Sequence, residues 1–103
     1  MTDTIHRRRI QVLADKPLMR ELIAKAAAVG IENYTLFQAA GGMGESGRWT
    51  DDQVTGATAK QMFLAICDKD HEAAFTDAVQ PILDSHGLML LISDVEVVRG
   101  KKY

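Results

Sequence analysis

Two stretches of this sequence each run from an extended apolar segment into an amphipathic helical pattern, and that repetition limits the folds open to the chain. In the first, residues 9–14 alternate, with Ile10 and Val12 facing one way and Gln11 the other, the period of a strand. Asp15, Lys16 and Pro17 then supply a helix start: a capping carboxylate, and a proline in the first turn where its missing N–H does no harm. Leu18, Leu22, Ala26 and Val29 follow as one stripe, and Gly30 stands where a left-handed C-terminal residue is wanted. In the second, residues 60–67 form an apolar strand and Asp68 caps a helix whose first turn holds Asp70 and Glu72, a favourable place for acids. Its stripe is Phe75, Ala78, Val79, Ile82 and Leu83. Pro81 interrupts that stripe and removes one backbone bond, so a kink or an early end is expected near it. Residues 33–40 alternate around Tyr34 and Leu36 as another strand. Ser85-His86-Gly87 reads as a turn, residues 88–92 as a fourth strand, and residues 95–99 continue the extended pattern.

The order β-α-β-loop-β-α-β with a C-terminal strand extension predicts an α+β, ferredoxin-like sandwich: one antiparallel sheet with both helices on one face. A chain of 103 residues holds one core and not two, so residues 1–103 form a single domain. The second sheet face is bare in a monomer. On one reading of the alternation it carries Leu13, Phe37, Phe63 and Leu91, and an apolar face of that size is expected to find a partner.

Residues 41–58 are rich in glycine and polar side chains and show no consistent period. Unstructured loops longer than about 12–15 residues are usually functional or disordered. Gly42-Met43-Gly44-Glu45-Ser46-Gly47 matches G-x-G-x-x-G, but the following Arg48-Trp49-Thr50-Asp51-Asp52 has no helical stripe on which a pyrophosphate could sit. The same segment misses a P-loop, with Arg48 and Trp49 where Lys and Ser or Thr should stand. What survives is a glycine-rich turn whose N–H groups can approach an anion closely, or a merely flexible loop.

Other chemistry is sparse. Ser46, Ser85 and Ser93 sit in no nucleophile context. His6, His71 and His86 lie at a frayed end, a helix first turn and a turn, without metal-ligand spacing, and are read as solvent-exposed. Asp51-Asp52 looks like solvation of a loop. The single Cys67 excludes an internal disulfide and is read as a buried, inert thiol in a reducing compartment. A net charge of −2 gives no general electrostatic reason to bind nucleic acid, and the third strand lacks the aromatics of RNA-recognition sheets. Arg7, Arg8 and Arg9 with Lys101 and Lys102 would form one positive region if the first and last strands are neighbours, although a run of arginines at a terminus is most often a solvated end. No stretch approaches the roughly 20 apolar residues of a membrane span, and the N-terminus lacks the apolar segment of a secretion signal. The expectation is a cytoplasmic protein.

Three stretches carry a family resemblance. Asn33-Tyr34-Thr35 leads into Gly41-Gly42-Met43-Gly44, residues 60–68 return from the loop, and Ser85-His86-Gly87-Leu88 runs on to Asp94-Val95-Glu96-Val97-Val98-Arg99-Gly100. Together they resemble PII-like signal transduction proteins, closest to the branch associated with carboxysomes, carbon concentration and bicarbonate transporters. The resemblance implies a homotrimeric regulator, not an enzyme, without covalent cofactor or metal, that binds adenine nucleotide between subunits. It further implies that residues 41–58 are a mobile T-loop engaging a membrane bicarbonate transporter. Carried over by position, Gly41, Gly42, Met43 and Gly44 with Thr35 would give the T-loop contacts. Lys60, Gly87, Leu88, Arg99 and Lys101 would take the phosphate end, and Leu13 and Ile66 would flank the adenine. Bicarbonate, a ligand the branch implies, would find Arg9, Arg48 and Lys60.

The chain departs from ordinary PII proteins at three places. Glu45 stands where an arginine follows the glycine turn, Leu88 where a basic residue follows the B-loop glycine, and residues 41–58 hold Trp49 but no tyrosine. Uridylylation is therefore not expected, and with fewer cations ADP or AMP is favoured over ATP. Two rival readings stay open: a slow nucleotide hydrolase using Asp51 and Asp52, and a trimeric assembly protein that binds no ligand.

Overall fold

The computed structural model describes residues 3–45, 47–50 and 59–98. Strand β1 (Thr4–Asp15) leads into helix α1 (Lys16–Ala28), followed by β2 (Tyr34–Gln38), a hairpin of β3 (Gly41–Gly44) and β4 (Gly47–Thr50), then β5 (Lys60–Cys67), α2 (Lys69–His86) and β6 (Leu90–Val98). Four strands form one sheet in the order β2-β5-β1-β6, and every neighbouring pair is antiparallel. With a helix following β1 and another following β5, this is the expected ferredoxin-like α+β sandwich.

Both helices start as the sequence dictates. The N–H of Leu18 donates to Asp15 Oδ1 at 3.1 Å and that of His71 to Asp68 Oδ1 at 2.7 Å. At the far end of α1, Gly30 adopts φ +91°, and the Ile31 N–H reaches back to the carbonyl of Ala26 at 2.8 Å. The left-handed glycine thus closes the helix and turns the chain toward β2. Gly87 (φ +64°) does the same for α2, whose last turn is bonded by the Leu88 N–H to the Leu83 carbonyl at 3.1 Å.

The Asp68 cap also sets a pH dependence. The backbone N–H of His71, and after it the His71 ring, hold the Asp68 carboxyl below the usual carboxylate range. A depressed folded-state pKa stabilises above the ordinary aspartate value and is lost as pH falls through the folded one. Asp68→Ala is expected to cost about 1 kcal/mol at neutral pH, the usual size of a lost cap. In urea titrations the gap between variant and wild type should narrow below about pH 4. A gap that is constant from neutral to acid pH would remove the carboxylate from the account.

The core lies between the helices and one sheet face: Ile10, Val12 and Ala14 from β1, Met19, Leu22 and Ala26 from α1, Ile31, Phe63, Ala65 and Cys67 from β5, and Phe75 and Val79 from α2. Phe63 is its centre. Its ring stacks on Tyr34 at 5.4 Å and on Phe75 at 5.8 Å between centroids. The expectation that Phe63 faces away from the helices is therefore wrong. Residues 62–67 are apolar on both faces, so alternation alone did not fix their phase. The register does: Leu36, Phe63 and Val12 lie in one row on the helix side.

The opposite face carries Phe37, Met62 and Leu13 in one row, then Thr35, Leu64, Gln11 and Leu91, then Ile66, Arg9 and Ser93. Phe37 and Leu91 are 52% and 53% exposed there. This is the bare apolar face expected from the sequence, with Phe63 removed from it.

Several boundaries differ from expectation. β1 starts at Thr4, so His6 lies in a strand and not at a frayed end. β2 is shorter than 33–40, β6 begins at Leu90 and not at residue 88, and β6 runs unbroken through Ser93 and Asp94, so the C-terminal extension is part of it. Helix α2 passes Pro81 and continues to His86, so no early end occurs and Ser85 and His86 are helical. Pro81 and Asp77, whose carbonyl the proline leaves without its helical donor, are both exposed. Water can meet that carbonyl, while Ile82 and Leu83 pack the last turn on the core. Residues 41–44 and 47–50 are not structureless, since they form the paired strands β3 and β4. Residues 51–58, with Asp51 and Asp52, lie outside the described residues, as do 99–103. Among the described residues no helix is long and apolar enough to cross a membrane.

Candidate functional site

The register divides the expected site residues between two ends of the protomer. One end, where β1 stops and β5 starts, holds Leu13, Lys60 (opposite Asp15) and the chain leaving β2 toward the β3–β4 hairpin. The α2–β6 connection, with Gly87 and Leu88, enters at the same end, because Leu90 pairs with Val12. The other end holds Thr35, Ile66 and Arg9. Leu13 is opposite Met62, so it stands four residues from Ile66 along the sheet, about 14 Å at ~3.4 Å per residue. The two side chains expected to flank one flat base cannot do so within one protomer.

At the second end a recess of about 620 Å³ opens on Glu32, Asn33, Tyr34, Thr35, Leu64, Ala65 and Ile66. Thr35 and Ile66 are among the residues the family resemblance named. The other five were missed, and Leu64 could have been found from its parity with Ile66 on β5. The recess combines apolar strand side chains with the polar groups of Glu32, Asn33 and Thr35, a composition suited to a flat heterocycle with hydrogen-bonding edges.

At the first end the hairpin is drawn tight by its glycines. Gly42 pairs with Trp49 and Met43 with Arg48. Alternation therefore puts Arg48 and Trp49 on opposite hairpin faces. The Lys60 ammonium sits 5.4 Å from the centroid of the Trp49 ring, so Arg48 points away from the side Lys60 approaches. The three bicarbonate candidates do not converge in one protomer: Arg48 and Lys60 belong to one end and Arg9 to the other. Arg99 and Lys101 lie outside the described residues. The last described residue, Val98, pairs with Thr4 at the end remote from the hairpin.

The arginine run divides by face. The first and last strands are neighbours, but Arg8 turns to the helix side while Arg7 and Arg9 turn to the other. Arg8 Nη1 lies 2.9 Å from Asp94 Oδ1 and its Nε 3.7 Å from Glu72 Oε1. Glu72 is buried and also accepts the Thr76 hydroxyl proton at 2.9 Å. Arg8 thus ties α2 to β6 and is not part of an open positive patch. Cys67 is buried, and burial, with Asp68 and Glu72 nearby, pushes its thiol up to about 11. It stays protonated at neutral pH, which agrees with an inert thiol.

Comparison with known proteins places the fold. The sequence profile described as nitrogen regulatory protein P-II matches residues 7–102. No curated protein sequence matches the chain. Among solved structures, it is similar to CPII, a nitrogen regulatory PII-like protein from Thiomonas intermedia K12 bound to ADP, AMP and bicarbonate, with TM-score 0.83 and 14% identity over 92% of this chain and 91% of that one. It is similar to a protein from Thermus thermophilus described as PII-like and signaling, with TM-score 0.79 and 20% identity over 98% of each chain. The B. subtilis GlnK–ATP complex gives TM-score 0.60 and 7% identity over 87% of this chain and 82% of that one. With the profile running over nearly its whole length and the sheet order in agreement, the chain belongs to the nitrogen regulatory protein P-II family.

Proposed function

We propose that this protein is a cytoplasmic, non-enzymatic regulatory sensor that binds ADP or AMP, together with bicarbonate, in clefts between the protomers of a homotrimer. The observation that carries the proposal is the splitting of the site. Leu13, Lys60, Gly87, Leu88 and the glycine hairpin stand at one end of a protomer, and Thr35, Ile66 and the recess at the other. Only a neighbouring copy brings the two halves together, and the bare face of Phe37, Met62, Leu13 and Leu91 gives it a reason to be there. Arg9 from one protomer and Lys60 from the next would then approach one small anion that neither surrounds alone, while Arg48, on the other face of the hairpin, would stay outside that group. Arg99 and Lys101 would add cations at the phosphates, where arginine can grip two oxygens at once.

Two further observations support ADP or AMP over ATP. The resemblance places Glu45 and Leu88 where ordinary PII proteins carry cations, and CPII, which this chain resembles in fold, is bound to ADP, AMP and bicarbonate. The downstream step we propose is control of inorganic carbon uptake at a bicarbonate transporter, through a T-loop whose order depends on the ligand. That step requires the loop's two states to bind ligand differently.

Calorimetry with AMP, ADP and ATP, with and without bicarbonate, tests the ligand assignment. AMP or ADP should bind, and bicarbonate should raise nucleotide affinity by the same factor that nucleotide raises bicarbonate affinity. Arg99→Ala should weaken nucleotide binding by roughly 1.5–3 kcal/mol, about 10- to 150-fold. Absence of heat with every nucleotide would end the proposal.

A further inference from the structure

The G-x-G-x-x-G segment opens no helix in this fold, yet its glycines are used. Gly42 lies across the hairpin from Trp49, and a Cβ added at Gly42 would stand 2.8 Å from Trp49 Cζ2 and 3.1 Å from Cε2. A Cβ at Gly41 would meet the Trp49 carbonyl oxygen at 2.7 Å. No other residue type fits either place without movement. The indole therefore lies directly on the opposing strand, the arrangement in which an aromatic ring covers a cross-strand glycine.

A second, independent feature points the same way. The Lys60 ammonium lies 5.4 Å from the Trp49 ring centroid, within the roughly 6 Å reach of a cation–π contact, for which tryptophan is the best aromatic partner. Among the described residues no carboxylate pairs with Lys60. The cation proposed for the phosphate end is thus engaged by a neutral ring, on a hairpin that is itself part of the proposed ligand-responsive loop.

We propose that Trp49 is a latch on the anion site: its indole, seated on Gly42, holds the Lys60 ammonium, and a phosphate-bearing ligand must displace it to take that charge. This rests on the nucleotide reading of the site and adds its regulation. A neutral partner suits the task, because a ring releases a cation far more readily to a phosphate dianion than a carboxylate would, and it adds no negative charge near the incoming ligand. Displacing Trp49 also frees the face of the hairpin that Gly42 and Trp49 share, so occupancy by ligand and the state of the loop become one event.

Titration of ADP and AMP into wild type, Trp49→Ala, Trp49→Phe and Lys60→Met, by calorimetry and by intrinsic emission, tests the latch. Trp49 is the chain's one tryptophan, so the emission is its own. Trp49→Ala should bind nucleotide about two- to fivefold more tightly than wild type, the equilibrium size of a partly exposed cation–π contact, with Trp49→Phe between them. Ligand should change the Trp49 emission in wild type, while Lys60→Met should shift that emission before any ligand is added. Nucleotide binding by wild type with Trp49→Ala equal or weaker would overturn the latch alone and leave the sensor reading standing. Emission unmoved by bound ligand would do the same. No nucleotide bound by any variant would sink both.

Discussion

Replacing Phe63 by alanine is expected to remove about 3–5 kcal/mol of stability, the range for deleting a buried aromatic ring. The ring is fully buried and packed between Tyr34 and Phe75, with centroids 5.4 and 5.8 Å away. Those two rings come from a different strand and from a helix, so they cannot collapse together into the vacated space without moving both elements. The cavity term therefore adds to the lost transfer energy instead of relaxing away. A domain of this size commonly has only about 5–15 kcal/mol in total, so the variant should be marginal at ordinary temperature. Urea denaturation followed by circular dichroism measures the loss. A change below about 1 kcal/mol, typical of surface positions, would put Phe63 back on the open face of the sheet and overturn the register.

That position also marks where the sequence stopped being informative. Elements whose signal is local were readable: Asp15 and Asp68 are caps because a short carboxylate reaches a free N–H, and Gly30 ends α1 because its φ is +91°. Lys60–Cys67 was readable as a strand but not in phase, since a run apolar on both faces looks the same in either orientation. The hairpin was missed because three glycines in Gly41–Gly44 leave no alternation to read. Its one clue was an aromatic placed to cover a glycine on the facing strand. Arg8 was misgrouped with Arg7 and Arg9 because a charge run hides the two-residue period that sends its middle member to Glu72 and Asp94.

The proposed site can be named from the chain as a set of residues but not as a place. Glycine amides, Lys60 and the apolar pair Leu13 and Ile66 can be named from the chain. Only the register shows that the pair stands two rows apart on one sheet face. If the proposed site holds the ligand, a split of this kind makes ligand affinity depend on the neighbouring copy.

Leu91→Glu should separate those quantities with a large effect. Leu91 is 53% exposed in the protomer, opposite Gln11 on the open face and outside the core. A carboxylate there remains solvated in the monomer, so circular dichroism and the urea midpoint of the isolated protomer should change little. In a trimer built on this face the same carboxylate is withdrawn from water in every copy, at an effective cost of several kcal/mol per unpaired ion. Since about 1.4 kcal/mol is tenfold in an equilibrium constant, assembly should weaken by more than about a hundredfold, which sedimentation velocity at micromolar concentration reads directly. Nucleotide binding should disappear with the trimer although Leu91 is not among the residues proposed to touch ligand. Leu91→Gln, which keeps the shape without the charge, should recover part of both. A folded Leu91→Glu monomer that binds ADP with wild-type affinity would mean that one protomer holds a complete site. That outcome is incompatible with a base flanked by Leu13 and Ile66 from opposite ends of the sheet.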